Sequence, residues 1–281
     1  MIHARIRRAI IRPEIIIPVF FLSIFQSMAG QSFYPGTRSL ALGGICAIST
    51  SPTQSHQNPA LLGHARRPSF STGHARPFVI KELGIFSLET VITAHPGAFQ
   101  FRVHTYGLHG YRIVSSELGF GMALSEKLTA GISFNYGNTF TSDQWNYLWS
   151  LSPGAGIHYT ISPRTSVALL LNSPFYLGNF HGYGPLLPSA LSAAISHEIY
   201  QHTTLLAEAT YSNADLLLVK TGLEYRLNRS VVLLSGYHSK PHSLSFGSAL
   251  EIGTLQIDLA FRWSAIPGIT PAITLSYIPR Q

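Results

Sequence analysis

Thirteen histidines stand in a chain of 281 residues, and two of them are followed directly by serine, at His238-Ser239 and His242-Ser243. A histidine that takes a proton from serine makes a nucleophile for acyl transfer. Adjacent residues on an extended chain point to opposite faces, so a serine beside its own histidine is badly placed for that transfer. Loop polarity accounts for these pairs better. The histidines form no cysteine-supported cluster with the spacing of a metal set. Neither a P-loop nor a dinucleotide fingerprint is present. No basic run is interleaved with aromatics, so nucleic acid is not an expected partner. The residues that could do chemistry therefore point away from an enzyme, with no cofactor and no metal expected.

A second set of reactive side chains is scattered singly: Glu198, Glu208, Lys220, Glu224, Arg226, Asp258 and Arg262. Most stand between apolar neighbours. The residues around them show why. In residues 255–263, Leu255, Ile257, Leu259, Phe261 and Trp263 alternate with Gln256, Asp258, Ala260 and Arg262. Residues 128–136 do the same, with Leu128, Ala130, Ile132, Phe134 and Tyr136 against Thr129, Gly131, Ser133 and Asn135. A strand sends successive side chains to opposite faces, so each segment has one apolar and one wet face. Single charges on the wet face suit a lumen, where they compensate one another. Facing lipid at the bilayer centre, such a charge costs about 2–4 kcal/mol.

Composition separates a membrane barrel from a soluble sandwich. Apolar residues make up 46% and charged residues only 11%, where about 25% charged is usual for soluble domains. At the N-terminus Arg5, Arg7, Arg8 and Arg12 precede an apolar run at 15–25, followed by Ser27-Met28-Ala29. That is a basic region, a short apolar region and a small-residue cleavage site, so residues 1–29 read as a secretory signal peptide. The run is too short for a transmembrane helix, which needs about 20 residues; the alternatives are an N-terminal anchor or a buried helix. Four Arg and one Glu fall in the leader, so its removal takes the net charge from +7 to +4. That modest excess suits anionic lipid headgroups. The single cysteine, Cys46, rules out an internal disulfide framework.

The alternation predicts strands at 68–76, 82–94, 97–107, 111–124, 127–137, 147–161, 165–171, 189–199, 204–211, 216–227, 230–237, 243–252, 255–263 and 270–278. Most approach the roughly 9–11 residues a tilted strand needs to cross hydrocarbon. The connections supply an independent check. Every second one is tight, such as His95-Pro96, Ser125-Glu126, Asn228-Arg229 and Gly253-Thr254, and the others, at 77–81, 138–146, 172–188, 238–242 and 264–269, are mostly longer. An antiparallel up-and-down barrel with both termini in the periplasm alternates in this way. About fourteen strands result; merging or splitting one hairpin gives twelve or sixteen. Tyr147, Trp149, Tyr225, Tyr237, Trp263 and Tyr277 sit near strand ends, where aromatic girdles belong.

Residues 30–67 carry no convincing strand. Within them stand Ala41-Leu42-Gly43-Gly44 and, further on, Asn58-Pro59-Ala60-Leu61. This resembles the N-terminal signature of the FadL/PorV superfamily of outer-membrane proteins, an "ALGGA" stretch followed by "NPA" and an apolar residue. Arg76 to Gly84, R-P-F-V-I-K-E-L-G, is similar to the first hairpin of that superfamily. The chain departs from the pattern in having no acidic residue at 50–56 and in ending Tyr277-Ile278-Pro279-Arg280-Gln281 rather than on an aromatic. The resemblance implies an all-β, fourteen-stranded transmembrane barrel at 68–281 whose segment 30–67 folds inward as a hatch. Gly43, Gly44, Asn58, Pro59 and Ala60 are the hatch residues it marks. Glycine permits close approach and positive φ; Pro59 biases Asn58 away from helix, and Asn58 closes a side-chain turn.

The longest outer connection, 172–188, reads N-S-P-F-Y-L-G-N-F-H-G-Y-G-P-L-L-P. Phe175, Tyr176, Leu177, Phe180 and Tyr183 make it unusually apolar for a loop over water, fit for gathering a ligand, docking a partner, or simply capping the barrel. The resemblance implies passage of hydrophobic compounds, long-chain fatty acids among them, across the outer membrane of a Gram-negative bacterium. Its alternative is a PorV-like component of type IX secretion that holds secreted proteins at the cell surface. Outer-membrane lipids, hydrophobic small molecules and secretion-system or secreted proteins are the partners to expect.

Overall fold

The computed structural model describes residues 34–49, 57–108, 111–141, 148–179, 189–213, 217–265 and 268–279. The signal-peptide reading of residues 1–29 lies outside them, as do Tyr147, Phe180 and Tyr183.

Alternation drives the chain into one closed antiparallel sheet. Its strands are β1 (Ser69–Ala75), β2 (Ile85–Ala94), β3 (Gly97–Leu108), β4 (Tyr111–Ala123), β5 (Leu128–Thr141), β6 (Leu148–Ser162) and β7 (Thr165–Asn172). There follow β8 (Leu177–Asn179), β9 (Ala190–Tyr200), β10 (Thr203–Ser212), β11 (Leu218–Arg226), β12 (Val231–Ser239), β13 (His242–Ile252), β14 (Leu255–Ser264) and β15 (Gly268–Tyr277). The strands β1 to β7 pair in sequence, as do β9 to β15; β7 pairs with β9, and β1 pairs with β15 to shut the ring, from Phe70↔Tyr277 to Ala75↔Ala272. Fourteen strands form the wall. The fifteenth, β8, continues β7 along β6 after a four-residue interruption: Asn172 lies opposite Gly154, and Leu177 opposite Leu151.

Three sequence expectations are corrected here. The connection 172–188 is not all loop, because β8 lies within it. The second strand starts at Ile85, since Pro77–Val79 and Lys81–Leu83 close two short 3₁₀ turns instead. The outer connection at 238–242 is a tight turn, with Ser239 paired to His242 across Lys240-Pro241.

The ring is turned inside out relative to a soluble barrel. On β14, Leu255, Phe261 and Trp263 are exposed, while Gln256, Asp258 and Ser264 are buried. Phe99, Leu118, Ile132, Phe134, Phe246 and Ile273 likewise face outward. A wall with apolar side chains outside and serine, threonine, asparagine and charge inside is stable only in lipid. Among the described residues no helix is long and apolar enough to cross a membrane; the strands do so, their backbone groups paired around the ring that β1 and β15 close. This is the architecture of an outer-membrane β-barrel.

Candidate functional site

The lumen is not empty. Residues 34–49 and 57–65 pack inside the ring and cross it from side to side. Helix α1 (Thr37–Ala41) lies against β12–β15, and the 3₁₀ helix Pro59–His64 lies against β3–β6. Leu40, Leu42, Ile45, Ile48, Leu61 and Leu62 of this segment are buried, each worth about 1.5–3 kcal/mol against exposure.

Both halves sit on wall positions that have no side chain. Gly121 on β4, Gly131 on β5 and Gly156 on β6 stand side by side in the ladder. A Cβ on Gly121 or Gly131 would run into the Pro59 carbonyl, and one on Gly156 would overlap the Asn58 amide. Across the lumen, a Cβ on Gly222 would press on Leu42 and Ile45, and one on Gly236 would overlap the Leu42–Gly43 peptide. The contact is reciprocal at Gly43, whose own Cβ would lie 2.5 Å from the Tyr237 carbonyl oxygen. Gly43 and Gly44 also take φ of 73° and 88°, where a side chain is strained. The chain has just left α1 there, and Gly44 N–H donates to Ser39 O at 2.6 Å.

Polar side chains then fasten the segment. Asn58 Oδ1 accepts Ala60 N–H at 3.0 Å and caps the 3₁₀ helix. Its Nδ2 donates to Ala47 O at 2.8 Å and Leu169 O at 3.2 Å, tying the two halves of the segment to each other and to β7. Glu208 on β10 receives the backbone: Oε2 accepts Cys46 N–H at 2.8 Å and Ala47 N–H at 2.7 Å. Its Oε1 takes Lys220 Nζ at 2.7 Å and Thr210 Oγ1 at 3.0 Å. Arg38 in α1 reaches Glu224 Oε1 through Nε at 3.0 Å and Nη2 at 2.8 Å. Arg102 pairs with Glu117 on the wall below. Buried ion pairs of this kind contribute little net stability, but losing one partner strands a charge.

The sequence-marked residues Gly43, Gly44, Asn58, Pro59 and Ala60 therefore all lie in the segment–wall contact. Of the scattered charges, Glu208, Lys220 and Glu224 join the buried network. Arg226 does not: it lies half exposed, 3.9 Å from Glu251. Arg38, Arg102 and Glu117 belong to the interior too and were not singled out in sequence; the alternation of β3 and β4 places Arg102 and Glu117 on the wet face, but nothing local announces Arg38. Of the wall glycines only Gly131 was placed on the wet face, and none was read as a seat for the segment. His238 packs beside Gly44, and Ser239 Oγ accepts Val219 N–H at 2.9 Å. In the outer connection, Phe175 and Leu177 are exposed, while Tyr176 turns toward Ser189, its hydroxyl 3.2 Å from Ser189 Oγ.

Burial governs titration inside the segment. It raises the Tyr34 hydroxyl to about 12. It raises the Cys46 thiol to about 12 as well, with the Glu208 charge adding to the effect. His64 is lowered, by burial first and by Arg66 second; its Nε2 lies 3.0 Å from His158 Nδ1 on β6.

No family model matches the sequence, and no curated protein does. Solved structures do match the geometry. The CymD monoaromatic hydrocarbon channel superposes with a TM-score of 0.64 at 15% identity, over 88% of this chain and 98% of that one. The Pseudomonas putida toluene transporter TodX gives 0.62 at 13%, over 90% and 98%. A Pseudomonas aeruginosa FadL homologue gives 0.62 at 10%, over 89% and 99%. This chain has their fold. The barrel that the N-terminal resemblance implied is the one found, strand number included.

Proposed function

We propose that this protein lets hydrophobic compounds cross the outer membrane by diffusion, with residues 30–67 as the hatch that closes the lumen to water. The observation that carries the reading is the segment itself, seated on glycine on two opposite walls and fastened by Glu208, Glu224 and Asn58. The shared fold with hydrocarbon channels and a FadL homologue supports it.

A solute blocked by the hatch needs a sideways exit, and we place it after β7. There Ser173 takes φ 50°, β8 pairs with β6 alone among the described residues, and Phe175 and Leu177 stand exposed at the break. A sideways exit spares an apolar solute the polar lumen below the hatch. Proteoliposome uptake of toluene and of a long-chain fatty acid tests the reading, with sucrose as the polar control. Uptake of either apolar solute but not sucrose supports it. Exclusion of all three, with a secreted protein retained on the barrel, moves the outer connection to the type IX scaffold role.

A further inference from the structure

On the outer wall, five adjacent strands set down two neighbouring rows of side chains. One row runs Ile157, Leu169, Ala193, Ala209, Val219 across β6, β7, β9, β10 and β11. The next row runs Tyr159, Val167, Ile195, Ala207, Thr221. Three alanines thus stand together where the wall elsewhere carries pairs such as Phe246↔Phe261 and Leu244↔Trp263. They floor a hollow of about 570 Å³ in the lipid-facing surface, walled by Leu169, Ile195, Ile157 and Val219.

A hollow in hydrocarbon gains nothing from the hydrophobic effect, because lipid tails are as apolar as its walls. It gains from dispersion contact, which a void forfeits and a fitted chain restores. What distinguishes possible occupants is the polar rim. On β9, two residues beyond Ile195 on the same face, stands His197, whose Nδ1 is held 2.9 Å from Thr165 Oγ1. That bond leaves Nε2 for a second partner. Arg164, exposed, occupies the turn between β6 and β7 directly beside Thr165. This turn belongs to the rim of tight connections, the periplasmic one. From Ala193 to His197 is about 13 Å along the strand, well within one acyl chain. A neutral hydrocarbon has no use for such a rim, whereas a phosphate does.

We infer that the hollow is a phospholipid site: one acyl chain lies over Ala193, Ala207 and Ala209, and the phosphate of a periplasmic-leaflet phospholipid is held by Arg164 and His197. The site is on the opposite side of the wall from the hatch and does not depend on what passes through the lumen.

The test uses the full barrel in mixed micelles containing phosphatidylglycerol and phosphatidylcholine, followed by detergent exchange and native mass spectrometry. The wild type retains one phospholipid, enriched in phosphatidylglycerol. Filling the hollow with Ala193→Leu and Ala209→Leu lowers retention about tenfold, a change of about 1.4 kcal/mol in binding. Arg164→Gln with His197→Gln abolishes the preference for phosphatidylglycerol. Retention unchanged by the leucines, no retained phospholipid on the wild type, or headgroup preference unchanged in the glutamine variant each overturns the site. Heat-modifiable migration reports folding. Should the leucine variant fail to fold, the glutamine variant, altered only at the rim, decides.

Discussion

At the residue scale, Glu208 does the most with the least. One carboxylate neutralises Lys220 and accepts two backbone N–H groups of the segment. Glu208→Gln keeps the shape but leaves the Lys220 ammonium buried without a counter-charge, which costs about 3–5 kcal/mol. The expected result is a lower melting temperature together with release of Cys46. In the wild type Cys46 is part-buried and its thiol pKa is raised to about 12, so a maleimide leaves it unmodified at neutral pH; in the variant it reacts. His64 gives the pH dependence. Burial lowers its folded pKa below the ordinary 6.5, so below that pH the unfolded chain binds the proton more readily than the folded one. Its contribution is complete above 6.5 and declines as the pH falls toward the lowered folded value. Thermal melts at about pH 7.5 and about pH 5.5 should therefore differ more for the wild type than for His64→Gln. Little of this chemistry was legible in sequence. Glu208 and Lys220 stood out as single charges on otherwise apolar strands, but their partners on the segment are more than 160 residues away, a distance no local pattern spans.

At the scale of elements, period two was enough to place the wall. Its rule is strict, because a one-residue slip would turn a whole apolar face inward. It failed where the period breaks. Ser173 to Tyr176 interrupt the alternation, so the continuation at β8 read as loop. It also gave no sign that Gly121, Gly131 and Gly156 form a seat, since a glycine satisfies either face. Their meaning emerges only when β4, β5 and β6 are laid side by side and the Asn58-Pro59 turn is set upon them. Gly156→Val is therefore expected to expel Asn58 while leaving the sheet paired. Limited proteolysis should then cut within residues 57–64, with the heat-modifiable barrel otherwise intact; protection equal to the wild type would show that the seat tolerates a side chain.

At the scale of the whole molecule, the outward face decides the solvent. Phe246, paired to Phe261 and exposed, lies mid-strand on β13. Phe246→Arg should cost about 2–4 kcal/mol when unfolding is followed by urea titration in vesicles.

The location of the two glycine seats also imposes an order on biogenesis. Residues 34–67 leave the ribosome before any strand, yet α1 rests on β12 to β15, the final hairpins to be made, while Pro59–His64 rests on β3 to β6. The segment runs directly into β1, which is one lip of the seam that β15 closes. Its seat is therefore complete only when β3 to β6 and β12 to β15 are both in place. A barrel that lacks its last strands is one whose N-terminus has only half a place to rest.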